Sequence, residues 1–344
     1  MRKQVTLALQ GGGALGAFTW GVLDAFLADD RLEVVGISGT SAGAMNAVVY
    51  AEGLRRGGPE AARKHLEKFW RGVSLDGSLT PQQREFFDIF FGMFDPLNLR
   101  LSMASKTTEI FSPYEINPLE INPLREIVED LIDFDFLRQT TFPKLFVSAT
   151  NVQTGRAKIF RHKELSADAI MASACLPTLF KAVEIDGQFY WDGGYMGNPA
   201  LYPLYTETKC SDIILIQVNP LMRPEIPKTS AHIMDRLNEI TFNSALLHEF
   251  RAIEFVTRLL ESGRLDGSHY KKVRLHMVAG GEAVDRYGAS AKMDLDYTMF
   301  EDLFSIGVKA GRDFLENHFD SIGVKATLDL QEQLGFQMEL PPEP

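Results

Sequence analysis

Cysteine is scarce: Cys175 and Cys210 are the only two in 344 residues, which excludes a disulfide framework, and no C-x-x-C with paired histidines is present to build a zinc site. Positive charge is in deficit. With 35 Lys and Arg against 46 Asp and Glu the formal charge is −11, so long-range electrostatics repel nucleic acid and anionic surfaces, and any lipid contact has to be apolar and local. Long unbroken apolar runs are missing too. The uncharged start, residues 4–23, is interrupted by Gln10, Gly11, Gly12, Gly13 and Gly16, and residues 34–51 are broken at Gly36 and from Ser38 to Gly43. Neither is continuous enough for a leader or a spanning helix. The expected location is cytoplasmic, with peripheral attachment at membranes compatible with it.

What the chain does have is apolar material, 45% of its residues, enough for a sizeable core. Residues 5–10 form a short apolar run that ends in glycines, and residues 17–27 follow with helical spacing: strand, glycine loop, helix. Residues 34–37 are a second buried strand, after which a Gly-Thr-Ser-Ala-Gly turn enters a small-residue helix to about residue 54. Two such units predict an α/β fold with a mostly parallel sheet. The pattern resumes with a strand at 144–150, a hairpin about Thr154-Gly155, a helix at 167–175, a hairpin about Asp186-Gly187 leading into a strand at 188–191, and a continuous apolar strand at 213–218. A long helix over 230–262, a strand at 273–278 and closing helices from about 297 to 335 complete it. No linker separates these parts, so one domain, 1–344, is expected, with a helical insertion over about 59–140.

Within that insertion Glu-Ile-Asn-Pro-Leu occurs at 115–119 and again at 120–124. Five residues are too few for a solenoid unit, so the pair reads as two rigid turns, the second placing Pro123 at the first position of a helix to about residue 133. Phe86, Phe87, Phe90, Phe91 and Phe94 crowd a stretch that is apolar almost all round. It is either a lid or acyl-chain channel or, as such helices usually are, core.

Three elements carry chemistry together. Gly11, Gly12 and Gly13, with Ala14, Leu15 and Gly16, form a loop that leaves a strand and opens a helix, where missing side chains let backbone N–H groups converge on an anionic centre. Gly39-Thr40-Ser41-Ala42-Gly43 has the G-x-S-x-G pattern of a nucleophile elbow, which exposes the Ser41 hydroxyl at a helix N-terminus. Asp192-Gly193-Gly194 follows a hairpin strand, where a carboxylate with raised basicity accepts the serine proton without a histidine. Each alone has a plainer explanation: a tight turn or dinucleotide loop, a helix N-cap, and a turn cap. Their order and strand-turn contexts make the set a catalytic constellation.

On the glycine loop, the elbow, Asp192-Gly193-Gly194 and the segment from Ala172 to Pro177, the chain resembles the patatin-like phospholipase family. The resemblance runs from Thr6 to about Pro199. It implies a three-layer α/β/α fold and a Ser-Asp dyad, with Ser41 and Asp192 in those roles, the amides of Gly11, Gly12 and Gly13 as oxyanion hole, and Gly39, Gly43, Gly193 and Gly194 as motif glycines. It further implies a lipid or other acyl-ester substrate, transient contact with a membrane surface or lipid droplet, and neither metal nor organic cofactor. One departure is visible: many members carry Arg or Lys where this chain has Leu15, so a cation that would help hold phosphate is missing.

Three rival functions are weighed. Ser41, Asp192 and His276 follow the chain order of an α/β-hydrolase triad, but His276 lies inside a predicted strand, and a serine at position 41 leaves too few strands ahead of it. A nicotinamide-dependent oxidoreductase requires an acidic residue closing the second strand, and that strand runs into the elbow instead. A non-catalytic lipid-binding protein would carry the site as a vestige.

Overall fold

The computed structural model describes residues 2–74, 112–116, 122–287 and 296–335; the apolar stretch at 86–94 lies outside them, as does part of the first Glu-Ile-Asn-Pro-Leu.

The apolar runs become the strands of one eight-stranded sheet. Its order is β5 (Val183–Ile185), β6 (Gln188–Asp192), β3 (Lys144–Asn151), β2 (Leu32–Gly39), β1 (Lys3–Leu9), β7 (Asp212–Gln217) and β8 (Arg274–Ala279), with β4 (Ala157–Arg161) as a further partner of β3. The strands β3, β2, β1, β7 and β8 are parallel. Such strands are covered on both faces, which is why β1 and β7 are buried almost throughout.

Helices supply the two outer layers. On one face lie α1 (Gly16–Asp29), α2 (Ala42–Gly72) and α7 (Tyr297–His318), which share the larger core cluster with Leu7, Leu9, Ile37 and Ile216. Trp20 of α1 stacks on Phe304 of α7 at 4.1 Å between ring centroids. The opposite face packs Ala8, Ile213 and Leu215 against Leu204 of α5 (Tyr202–Glu207) and Leu246 and Phe250 of α6 (Ser230–Glu261). This is a three-layer α/β/α molecule, as the sequence predicts.

The helix after the elbow breaks near its expected end at residue 54: the backbone of Gly57 and of Gly58, whose φ is +73°, is non-helical. A second helical segment resumes within α2 at Pro59 and runs to Gly72, buried through Ala62, Leu66, Phe69 and Trp70 at helical spacing, each at most 3% exposed. The short helix α5 was not anticipated. Elsewhere the pattern holds: both hairpin turns sit at Gly155 and Asp186-Gly187 with positive φ, α3 (Pro123–Leu131) starts on its proline, and the helix expected over 167–175 is α4 (Ala167–Ser173).

The register of β3 positions the site. β4 occupies one edge along Phe146–Thr150, so β2 and β6 share the other edge in succession. Gly39, the last residue of β2, is level with Val147, and two residues further Ala149 is level with Asp192 of β6. The chain leaving β2 at the elbow therefore turns away where β6 arrives, and Ser41 and Asp192 meet at the C-terminal edge of the sheet, 151 positions apart in sequence.

Candidate active site

Ser41 stands between β2 and α2 with φ 54° and ψ −124°, a conformation that costs a non-glycine residue on the order of 1–3 kcal/mol. The neighbouring backbone enforces it. Gly43 passes so close to β1 that a Cβ there would lie 2.2 Å from the carbonyl oxygen of Leu9, so only glycine permits the sharp turn. Although Ser41 is the N-terminal residue of α2, its side chain makes no capping bond, leaving the hydroxyl uncommitted at the positive end of the helix. Its backbone N–H is committed, donating to Ser173 Oγ at 2.9 Å.

Asp192 ends β6 and is 1% exposed. Oδ1 accepts the Gly194 N–H at 2.7 Å, so one oxygen caps the turn. The other, Oδ2, is buried with no hydrogen-bond partner. Burial pushes this carboxyl up to about 7, against the opposing pull of the Gly194 N–H and the nearby Ser41 hydroxyl. No closed Ser41–Asp192 hydrogen bond is present. Gly193 allows the turn to lie against β3, where a Cβ would meet the Ser148 carbonyl oxygen at 2.2 Å, while the helix α6 closes over Gly194 with Phe242, whose ring lies 5.3 Å from that of Tyr195.

The glycine loop runs beside the elbow, a Cβ on Gly11 falling 2.8 Å from that of Ser41. Its three amides are not equivalent. The Gly11 N–H donates to Asn198 Oδ1 at 2.6 Å, whereas among the described residues no partner is found for the N–H of Gly12 or Gly13. Gly12 is half-buried and Gly13 exposed, with φ +57°. Of the three amides expected from sequence to face an oxyanion, the Gly11 N–H is thus already committed. Leu15 is 3% exposed and belongs to the core, so this position offers a phosphate no charge.

The segment after Asp192 is fastened to the elbow and to the end of β2: Thr40 Oγ1 donates to the Gly197 carbonyl at 2.6 Å and Ser38 Oγ to that of Ala200 at 2.6 Å. Sequence reasoning gave no role to Asn198, Asn219, Gln10 and Ser173, whose amide and hydroxyl groups surround these loops; Gln10, Ser173 and Asn198 lie within or beside the motifs, and Asn219 carries no such signal. Cys175 is a packed thiol, pushed up to about 12 by burial. Among the described residues no His, Cys, Asp or Glu cluster is arranged to hold a metal ion.

His276 is elsewhere. Its ring nitrogens lie 3.0 Å from Thr327 Oγ1 and 3.1 Å from Asp212 Oδ1, and Asp212 opens β7, at the N-terminal end of the parallel strands and so away from the elbow at their C-terminal end. The geometry gives a triad through His276 no support.

The sequence profile of the family described as patatin-like phospholipase matches residues 7–205, more than half of the chain. No curated protein matches in sequence. Among solved structures, VipD from Legionella pneumophila aligns over 91% of this chain and 67% of its own, at 14% identity and a TM-score of 0.37; at that score the likeness carries no argument.

Proposed function

The chain belongs to the patatin-like phospholipase family, and from that premise we propose that it is a lipid acyl hydrolase working through a Ser41-Asp192 dyad. The observation that carries this is the pairing of an uncapped serine on a strained elbow with a buried carboxylate whose Oδ2 has no partner. Ser41 Oγ attacks the acyl carbonyl while its proton passes to Asp192 Oδ2, and the N–H groups of Gly12 and Gly13 hold the oxyanion of the tetrahedral intermediate. Collapse expels the alcohol, which takes the proton from Asp192 and leaves an acyl-serine. Water then attacks the acyl-serine with Asp192 again as base, and the fatty acid and free Ser41 are regenerated.

Substrate reaches the site from a lipid surface. The outward face of the first half of α6 is apolar, with Ile233, Leu237 and Ile240 at helical spacing, 43%, 50% and 52% exposed, and Met222 and Ile226 beside them on the preceding loop. In residues 220–241 three basic side chains balance three acidic ones, which on a chain of charge −11 suits an uncharged or zwitterionic surface. The same helix carries Phe242 onto the Asp192 turn.

A fluorophosphonate probe tests the reading: Ser41 should be the labelled residue, and Ser41→Ala should remove both label and ester hydrolysis while the protein stays folded. Hydrolysis by folded Ser41→Ala would sink the dyad, and lipid binding without any labelling would leave a non-catalytic lipid-binding protein. In the same assay Leu237→Glu should lower hydrolysis of phosphatidylcholine vesicles about tenfold and spare a soluble ester.

A further inference from the structure

Behind the glycine loop lies a network of side-chain amides without contact to the open side of the site. Gln10, Asn198 and Asn219 are 0% exposed and Asn243 is 3% exposed. Burying four amides is unfavourable unless each is hydrogen-bonded, and here they converge on one peptide unit. The Gly11 N–H donates to Asn198 Oδ1 at 2.6 Å, and the Gly11 carbonyl accepts from Asn219 Nδ2 at 2.6 Å and, at the longer distance of 3.4 Å, from Asn198 Nδ2. Gln10 braces the second of these: its Oε1 accepts from the Val218 and Asn219 N–H groups at 3.0 and 2.9 Å, and its Nε2 donates to Asn243 Oδ1 on α6 at 3.1 Å. The backbone fixes which way each asparagine faces, because a peptide N–H requires the side-chain oxygen and a peptide carbonyl requires the NH2.

We infer that Asn198 and Asn219 are positioning residues that clasp the Gly11 peptide from its two sides and thereby set the plane of the loop that presents the Gly12 and Gly13 N–H groups to the oxyanion. The inference rests on the Ser41 hydrolase reading and goes beyond it. Both ends of the clasp are tied to the reacting groups. Asn198 lies six residues after Asp192, on the segment that Thr40 fastens to the elbow through Gly197, so carboxylate, elbow and oxyanion loop are referenced to one stretch of chain. Asn219 follows β7, outside the 7–205 match to the family, so this part of the site comes from the remainder of the chain. Gly12 touches the same element, a Cβ there falling 2.8 Å from Val218. Amide donors aimed at a developing charge act by their placement, and a shift of about 1 Å costs on the order of 100-fold in rate.

The test uses the full chain and a soluble short-chain p-nitrophenyl ester, with a trifluoromethyl ketone of the same acyl length, whose serine adduct places an oxyanion in the hole. Asn198→Ala and Asn219→Ala should each lower kcat about 100-fold with KM within about twofold of wild type, and should weaken the ketone in proportion to kcat/KM. A merely structural role predicts a lower melting temperature with ketone affinity unchanged in the folded fraction, which would overturn the clasp. The conservative pair decides the matter even where an alanine variant fails to fold. Asn198→Asp keeps an acceptor for the Gly11 N–H, loses only the long 3.4 Å bond from Nδ2 to the Gly11 carbonyl, and should retain the larger share of the rate. Asn219→Asp removes the short 2.6 Å donor to that carbonyl and should not; equal losses from the two would overturn the clasp. Wild-type labelling at Ser41 is the control that separates the two ideas: its absence brings down the hydrolase reading and the clasp's catalytic role together, whereas labelling with unimpaired variants removes the clasp alone.

Discussion

Asp192 and Asp212 are carboxylates of the same sheet, 1% and 3% exposed, Asp192 level with the C-terminal end of β3 and Asp212 at the N-terminal end of β7. Asp212 opens β7 and is saturated with donors: Arg274 binds both oxygens at 2.9 and 2.6 Å, His276 Nε2 lies at 3.1 Å and the Gly323 N–H at 2.9 Å. Burial would raise its affinity for a proton, but the bonds from His276, Arg274 and Gly323 outweigh that and hold the carboxyl well below the usual range. Asp192 closes β6 with one N–H on Oδ1 and nothing on Oδ2, and burial pushes it up to about 7. The first is a structural anion, pinning the segment that follows α7 to the sheet. The second is a group kept short of partners, which is how an ordinary carboxyl becomes a base near neutrality.

The sharpest way to break this contrast is to neutralise each in turn. Asp192→Asn should lower kcat by about three orders of magnitude, within the 10²–10⁴-fold that loss of a general base costs, yet leave the protein folded. It should melt higher than wild type at pH 8, where the wild-type carboxylate is buried and charged, and the difference should shrink in acid. Asp212→Asn should do the reverse, costing on the order of 3 kcal/mol of stability, since removing one partner of a buried ion pair is expensive, with activity per folded molecule retained. Calorimetry beside steady-state kinetics reads both. Comparable activity losses in the two folded variants would end the distinction.

A smaller effect is expected on pH. A base that must be ionised predicts kcat/KM rising through about pH 7 and level above it. Stability moves in opposite senses at the two sites. The raised Asp192 carboxyl contributes stability that is complete below its ordinary value of 3.8 and is lost as pH rises through about 7. The lowered Asp212 carboxyl contributes stability present above 3.8 and lost as pH falls. Melting curves over pH 3–9 should therefore lose their neutral-range slope in Asp192→Asn and their acid-range slope in Asp212→Asn. A neutral-range slope that persists in Asp192→Asn belongs to another group.

Much of this was legible because it is local. The elbow, the glycine loop and Asp192-Gly193-Gly194 are each written in a few adjacent residues, and the need for glycine at a sharp turn marks them in the chain. The pairing of Ser41 with Asp192 was expected from motif order and from the resemblance; physically their meeting depends on β2 and β6 sharing one edge of β3, a register that no single strand encodes. Gln10, Asn198 and Asn219 were not legible as a group. Their bonds join positions 187 and 208 residues apart, and a lone amide has no periodicity to announce it. The end of the helix after the elbow was legible because it too is local: Gly57 and Gly58 break it near the end of the small-residue run, and the spacing of Ala62, Leu66, Phe69 and Trp70 belongs to a second helical segment that resumes at Pro59.

The least disruptive change is the one that bears most directly on the rival triad. His276 belongs to the Asp212 end of the molecule: a carboxylate can only accept, so Nε2 donates to Asp212 and Nδ1 is left to Thr327, while the ring packs 6.1 Å from that of Phe314. Neither nitrogen is available to a serine at the C-terminal end of the parallel strands. His276→Ala should therefore cost stability, roughly 2–4 kcal/mol for the cavity and the broken bonds, and leave kcat/KM per folded molecule within about twofold of wild type. The pH limb alone cannot settle this, because a histidine base titrating near about 6.5 and a carboxyl raised to about 7 give nearly the same profile. The variant can: with a dyad, the limb stays in place when His276 is gone, and only the temperature at which the protein unfolds changes. A folded His276→Ala protein without esterase activity would transfer the general base from Asp192 to the histidine and make both carboxylates structural.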